Sequence, residues 1–523
     1  MNRETMPLPF KSMLCPWKDA SWKRFTLAAA APLLALLSPS AYSQSVPVTT
    51  ESTPALPSPA QEPLLASWVQ NRTSHRDAIR ASIAEQFAKL FREMSPSAKR
   101  GYQHLTGSVY LPADFDEAVV KQLDRLEHAW PMLDQSLPDD ARQATWMSYG
   151  LAPRPDDPSR PLQYVVTQDQ RYVMNCFACH GGNLHGATYP GSPNSMYALQ
   201  SLTEDVRKTK IRLGKKLTHM DIGSLGMPLG TSNGTSNAVM FGVALMNYRD
   251  ADLNVHTNRF PAPMTHHDMD APPWWHFHRK HHLYIDGFAQ KGHRGLMQFM
   301  MVRENGPKQF QGWEKDFQDI YQFLSELRPP RVPLAIDGER AARGERVFHA
   351  NCAQCHGTYT RDANGQSQVE YPERMVPIDD VATDPVRWSA LSPAHRKAYG
   401  DSWFADYGAQ QTLTEVDGYI APPLDGIWAS APYLHNGSVP TLWHLLHPES
   451  RPAVWRRIAV GLDEERMGIV VESLGEVPSG LRPAERRWIF DARVPGKSAS
   501  GHDYPAALSE AEKEDLLEYL KTL

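Results

Sequence analysis

Two short stretches of this 523-residue chain set cysteines and a histidine at a spacing that can do chemistry. They are Asn175-Cys176-Phe177-Ala178-Cys179-His180 and Asn351-Cys352-Ala353-Gln354-Cys355-His356. C-x-x-C-H is the attachment pattern of c-type haem. Two thiols one helical turn apart form thioethers with the vinyl groups of one porphyrin, and the histidine that follows is held under the iron as its proximal ligand. A zinc half-site or a redox dithiol needs no trailing histidine. The sequence therefore predicts two covalent haem c groups, one on Cys176, Cys179 and His180, the other on Cys352, Cys355 and His356.

What each haem does depends on the far side of its iron. A six-coordinate haem relays electrons, whereas a five-coordinate one has room for dioxygen or peroxide. For the second haem, Met375 follows His356 too soon to wrap round a porphyrin, and the next methionine is Met467. His395, His435, His444, His447 and His502 are the remaining candidates, and a bis-histidine iron suits electron transfer. For the first haem, only His185 lies between His180 and His219, too near His180 to cross to the other face. Its far side reads as open, with Met220, Met227 or His219 as the groups that could close it.

The elements that must position these motifs read mainly as helices. Ala78 to Met94 carries Ile79, Ile83, Phe87, Leu90 and Phe91 at helical spacing, and Phe115 to Trp130 repeats the pattern with Val119, Leu123, Leu126 and Trp130. Between the motifs lies a long stretch that a minimal haem domain does not need. It includes the turn-rich Gly230 to Asn237, the apolar run Ala238 to Met246, and Ala271-Pro272-Pro273-Trp274-Trp275-His276-Phe277-His278. Indoles such as Trp275 beside a haem shape a pocket or relay electrons; core packing is the plainer alternative. Eight of the 21 histidines fall between His256 and His293, which reads as surface and propionate contacts or as a second metal site.

Pro329, Pro330 and Pro333 mark a boundary near residue 330. A short helix from Asp337 to Ala350, with Gly344 and Phe348 four apart, then runs into Cys352. The chain ends in a helix with Ser509 as N-cap, Glu512 completing a capping box, and Leu516, Leu520 and Leu523 on one face. No alternating strand pattern of any length stands out.

At the N-terminus, Lys18, Lys23 and Arg24 precede the apolar Phe25 to Leu37, and Ala41-Tyr42-Ser43 supplies a cleavage site. The expectation is a signal peptide over 1–43 and a Pro/Ser/Thr-rich tether over 44–63, with no stable membrane insertion after cleavage. The mature protein would be periplasmic or secreted. Haem attachment consumes four of the five cysteines, so no disulfide is expected there. A net charge of −5 gives no argument for nucleic acid.

The stretch Ala421-Pro422-Pro423-Leu424-Asp425-Gly426-Ile427-Trp428, continuing through Ala431-Pro432-Tyr433-Leu434-His435-Asn436-Gly437 to Leu442, resembles the signature of bacterial di-haem cytochrome c peroxidases. The Pro-Pro-Trp-Trp segment, Gly501-His502-Asp503-Tyr504 and the terminal Leu-Glu-Tyr-Leu-Lys-Thr-Leu resemble the rubber-oxygenase branch. The similarity runs from about Tyr172 onward and is dense only in these blocks. It implies two cytochrome-c-like domains, 64–330 elaborated by insertions and 331–523. It implies His502 as the second iron's ligand, with His435 as the alternative, and a first haem open to dioxygen with Trp275 near it. The partners implied are dioxygen or peroxide, an organic substrate and a redox protein. In some relatives a calcium ion sits between the domains. The branch cleaves polyisoprene oxidatively, but this chain is shorter than the rubber oxygenases, which leaves its substrate open. An electron carrier without a substrate of its own is the alternative function.

Overall fold

Helix–helix crossings made possible by glycine stand against both C-x-x-C-H motifs: one helix runs into Cys352, and Phe177 packs on Tyr102 and Phe323 of the other pair. The computed structural model describes residues 62–123, 140–259, 265–361 and 367–523. The signal-peptide reading lies outside them, as does the tether up to Gln61. Glu62 and Pro63 already belong to the first helix, Glu62–Glu93, which contains the amphipathic run expected from Ala78. Ile79, Ile83 and Phe87 of that run are buried.

In the C-terminal half, helix Gly338–Asn351 crosses helix Glu510–Leu520. A Cβ on Gly344 would lie 2.0 Å from the carbonyl oxygen of Asp515, so only glycine lets the backbones meet. Phe348 packs on Tyr519 at 5.3 Å, and Arg343 grips Asp515 through two hydrogen bonds of 2.7 and 2.8 Å. The N-terminal half repeats this crossing between helices Pro96–Gly107 and Glu314–Glu326. There a Cβ on Gly101 would lie 2.2 Å from the Asp319 carbonyl, and Arg100 grips Asp319 at 2.8 and 2.9 Å. One apolar core runs through both crossings, from Ile79 to Leu520, within a single unit spanning Pro63–Leu523.

The mainly α class holds, with two corrections. Residues Phe115–Asp116 begin as a strand edge, paired with Tyr172 and Arg171, and the helix is Glu117–Leu123; Leu126 and Trp130 lie outside the described residues. The second correction is a three-stranded antiparallel sheet, with Val454–Asp463 between Gly468–Leu474 and Ile489–Asp491. Its alternation is masked because the inward face carries Arg457, 5% exposed, while Ile458 on the outward face is 44% exposed. Arg457 is tolerated inside because its guanidinium donates to Ser195 Oγ at 2.9 Å.

Candidate haem sites

Cys352 ends the helix Gly338–Asn351, and the single turn Ala353–His356 presents Cys355 and His356. The chain can leave that turn because Gly357 takes φ 92° against the Glu370 carbonyl, 2.3 Å from where a Cβ would stand. His356 donates its Nδ1 hydrogen to the Pro422 carbonyl at 2.8 Å, which fixes the tautomer and leaves Nε2 as the free nitrogen. Opposite stands His502, their ring centroids 6.0 Å apart and their planes 66° from each other. Two imidazoles that each reached one transition-metal ion at about 2 Å would have ring centroids roughly 6 Å apart. His502 is anchored by its own N–H to the Val381 carbonyl at 2.7 Å, and its Nδ1 is buried without a hydrogen-bond partner among the described residues. Burial, with His356 nearby, pushes its imidazole down to about 3, so it is a neutral ligand-type base at ordinary pH. These residues fit a haem c held between them.

The other candidates are engaged elsewhere. His435 lies 4.7 Å from Tyr419, and His444 meets Thr441 Oγ1 at 2.7 Å. His447 pairs with Glu510 at 2.9 Å. Met467 is fully buried.

The first motif is built on the same plan. His180 donates Nδ1–H to the Pro272 carbonyl at 2.9 Å, so Ala271-Pro272-Pro273 serves it as Ala421-Pro422-Pro423 serves His356. Burial pushes the His180 imidazole down to about 4, and the Cys176 and Cys179 thiols up to about 12 and about 11. Asn175 Oδ1 accepts the N–H of Phe177 at 2.9 Å, fixing the start of the turn. The donor set fits a covalent haem c here too. The ring against His180 is Trp274, stacked at 4.8 Å and 20°; Gly191 ties the two together by donating to the His180 carbonyl at 2.7 Å and accepting from the Trp274 N–H at 2.8 Å. Trp275 is fully buried; its Nε1–H donates to the Asp425 carbonyl at 2.8 Å, and Tyr189 meets it edge-on at 5.9 Å. His276 Nε2 reaches the same carbonyl at 3.0 Å. Burial pushes the Asp425 carboxyl up, but Arg279, with His278 and His276 beside it, offsets this and holds it below its ordinary value. His185 stacks on Trp428 at 5.8 Å, and Met220 packs into a hydrophobic cluster.

Sequence reasoning missed Trp274 as the ring on His180, and Pro272 and Pro422 as the acceptors. The recurrence of Ala-Pro-Pro after each C-x-x-C-H was the available signal. Of the histidines between His256 and His293, His276 and His278 both approach Asp425, at 3.0 and 3.9 Å, while His256 pairs with Asp250 at 2.9 Å, His266 with Asp268 at 3.0 Å and His282 with Glu373 at 3.0 Å. Among the described residues no cluster of three or more His, Cys, Asp or Glu is arranged to hold a metal ion, and no helix is long and apolar enough to cross a membrane.

Residues 418–456 match the family described as RoxA-like, cytochrome c-like. The chain is also similar to two uncharacterized proteins of Sinorhizobium fredii. It is 32% identical to y4iM over 243 residues, covering 39% of this chain and 53% of that protein. It is 28% identical to y4iJ over 261 residues, covering 38% of this chain and 41% of that protein. The chain thus spans about half the length of the curated relatives it matches. The matched region, which contains the Pro422 acceptor of His356, supports the cytochrome c family and implies covalently bound haem c.

Proposed function

We propose that this protein is an exported, periplasmic or secreted di-haem c-type oxidoreductase. In this reading Cys176, Cys179 and His180 hold the haem that binds dioxygen or peroxide, and Cys352, Cys355, His356 and His502 hold a bis-histidine electron-transfer haem. The observation that carries it is the asymmetry of the two histidines: His356 faces a second imidazole at 6.0 Å, whereas His180 is flanked by a stacked indole. The repeated order of Arg-Gly, C-x-x-C-H, Ala-Pro-Pro and partner Asp supports two cytochrome-c-like units.

Haem c supplies reversible one-electron chemistry and, where a coordination position is open, a place for a small oxidant. The chain's own residues divide the remaining work. Pro272 and Pro422 orient the proximal imidazoles by accepting their Nδ1 hydrogens. Trp274, Trp275 and the Asp425 carbonyl join the two prolyl segments through one stacked ring and one hydrogen bond, a short route between the sites. An organic substrate is expected, of which a polyisoprene-like chain is one class.

The Trp275–Asp425 link serves an electron carrier equally well, which makes a di-haem cytochrome without its own substrate the second reading. Alkaline pyridine spectra of the exported protein test the haem assignment, with two haems per chain expected. Oxygen uptake with an electron donor and candidate substrates then separates enzyme from carrier; no uptake and no peroxide turnover would leave the carrier.

A further inference from the structure

Helix Ala238–Asn247 turns Val239, Val243 and Met246 toward a partly open cavity of about 120 Å³, lined on other sides by Phe288, Gln298 and Arg387. Among the described residues, no Asp or Glu lines it. Behind its wall, Asp286 is shared by two arginines: Arg387 donates to Oδ1 at 3.0 Å and Arg396 to Oδ2 at 2.6 Å. Asp286 is fully buried and each arginine is 1% exposed, so two buried cations stand against one buried anion. Among the described residues, Nε and Nη1 of Arg387, Nη1 of Arg396 and Nε2 of Gln298 have no hydrogen-bond partner. Buried charge in excess and unpaired donors both cost free energy unless an anion satisfies them. Arg387 thus keeps N–H donors free for a carboxylate oxygen.

We propose that this cavity is a seat for a carboxylate borne on an apolar body, received by Arg387 with Gln298 beside it. Two sources share that chemistry: a haem propionate, which rests on the haem reading above, and a free aliphatic acid. The haem-loaded full-length protein is titrated calorimetrically with octanoate and with octan-1-ol, and its reduction potentials are measured by spectroelectrochemistry. Arg387→Gln leaves Asp286 and Arg396 as a balanced pair, and Gln298→Leu leaves every charge in place, so at least one variant tests a folded protein.

If a free acid is the ligand, octanoate binds, octan-1-ol binds at least about tenfold more weakly, and Arg387→Gln loses about tenfold or more in octanoate affinity with potentials unchanged. If a propionate fills the seat, octanoate does not bind and Arg387→Gln lowers one haem's potential, since a cation that favours the reduced, less positive iron is gone. Gln298→Leu moves the same readout in the same direction by less. Potentials unchanged in both variants, with octanoate and octan-1-ol binding alike or not at all, would overturn the proposal. Pyridine spectra of the same samples report haem content, so a failure of the haem assignment is seen separately.

Discussion

The indole Nε1 of Trp275 donates to the main-chain carbonyl of Asp425 at 2.8 Å, and this bond joins the two segments whose prolines orient His180 and His356. Trp275→Phe keeps the buried ring and removes the donor, while His276 still reaches the same carbonyl at 3.0 Å. The expected stability loss is therefore about 1 kcal/mol. Electron transfer between the haems should slow in stopped-flow reduction while both absorption spectra stay as they are. An unchanged rate would assign Trp275 to packing alone.

His502→Ala should convert the second haem from low spin to a form that binds added imidazole, because it removes the ring opposite His356. His435→Ala is the matched control, since that ring lies against Tyr419. A low-spin spectrum retained by the first variant and lost by the second would reverse the assignment.

Gly344→Ala and Gly101→Ala place a Cβ where a backbone carbonyl already stands, 2.0 and 2.2 Å away. Each should cost about 1–3 kcal/mol or more in urea unfolding, because backbone cannot yield as a side-chain tip can. Equal losses at the two sites would show that both crossings carry stability.

Asp114 adds a pH dependence. Burial raises its carboxyl to about 7, against the opposing effects of the Met174 N–H and Lys210. The folded chain therefore holds a proton that the unfolded chain releases near the ordinary carboxyl value of 3.8, and stability falls as pH rises between those values. The slope is up to about 1.4 kcal/mol per pH unit. Asp114→Asn should flatten this fall in urea midpoints taken from pH 4.5 to 7.5.

The C-terminal crossing was legible in the sequence because Gly344 and Phe348 stand four apart just before a C-x-x-C-H, and Ser509 with Glu512 marks the closing helix. Its N-terminal counterpart was not, because Gly101 lies far ahead of Cys176 and strands and loops intervene. The sheet around Val454–Asp463 escaped for a different reason: a hydrogen-bonded Arg457 faces inward and Ile458 faces out, which inverts the usual hydropathy signal. His502 was reached by resemblance, and the reason it stands opposite His356 is tertiary. Gly501, at φ 78°, packs on the Ala382–Thr383 backbone, and the His502 N–H bonds Val381.

In the proposed function one haem is closed by two histidines and the other is open. Optical spectra of the haem-loaded, dithionite-reduced protein with and without carbon monoxide test it most directly. Carbon monoxide should shift about half of the Soret intensity, leaving the His356–His502 haem untouched. If neither haem binds carbon monoxide, or both do, the division of labour between His180 and His356 is contradicted.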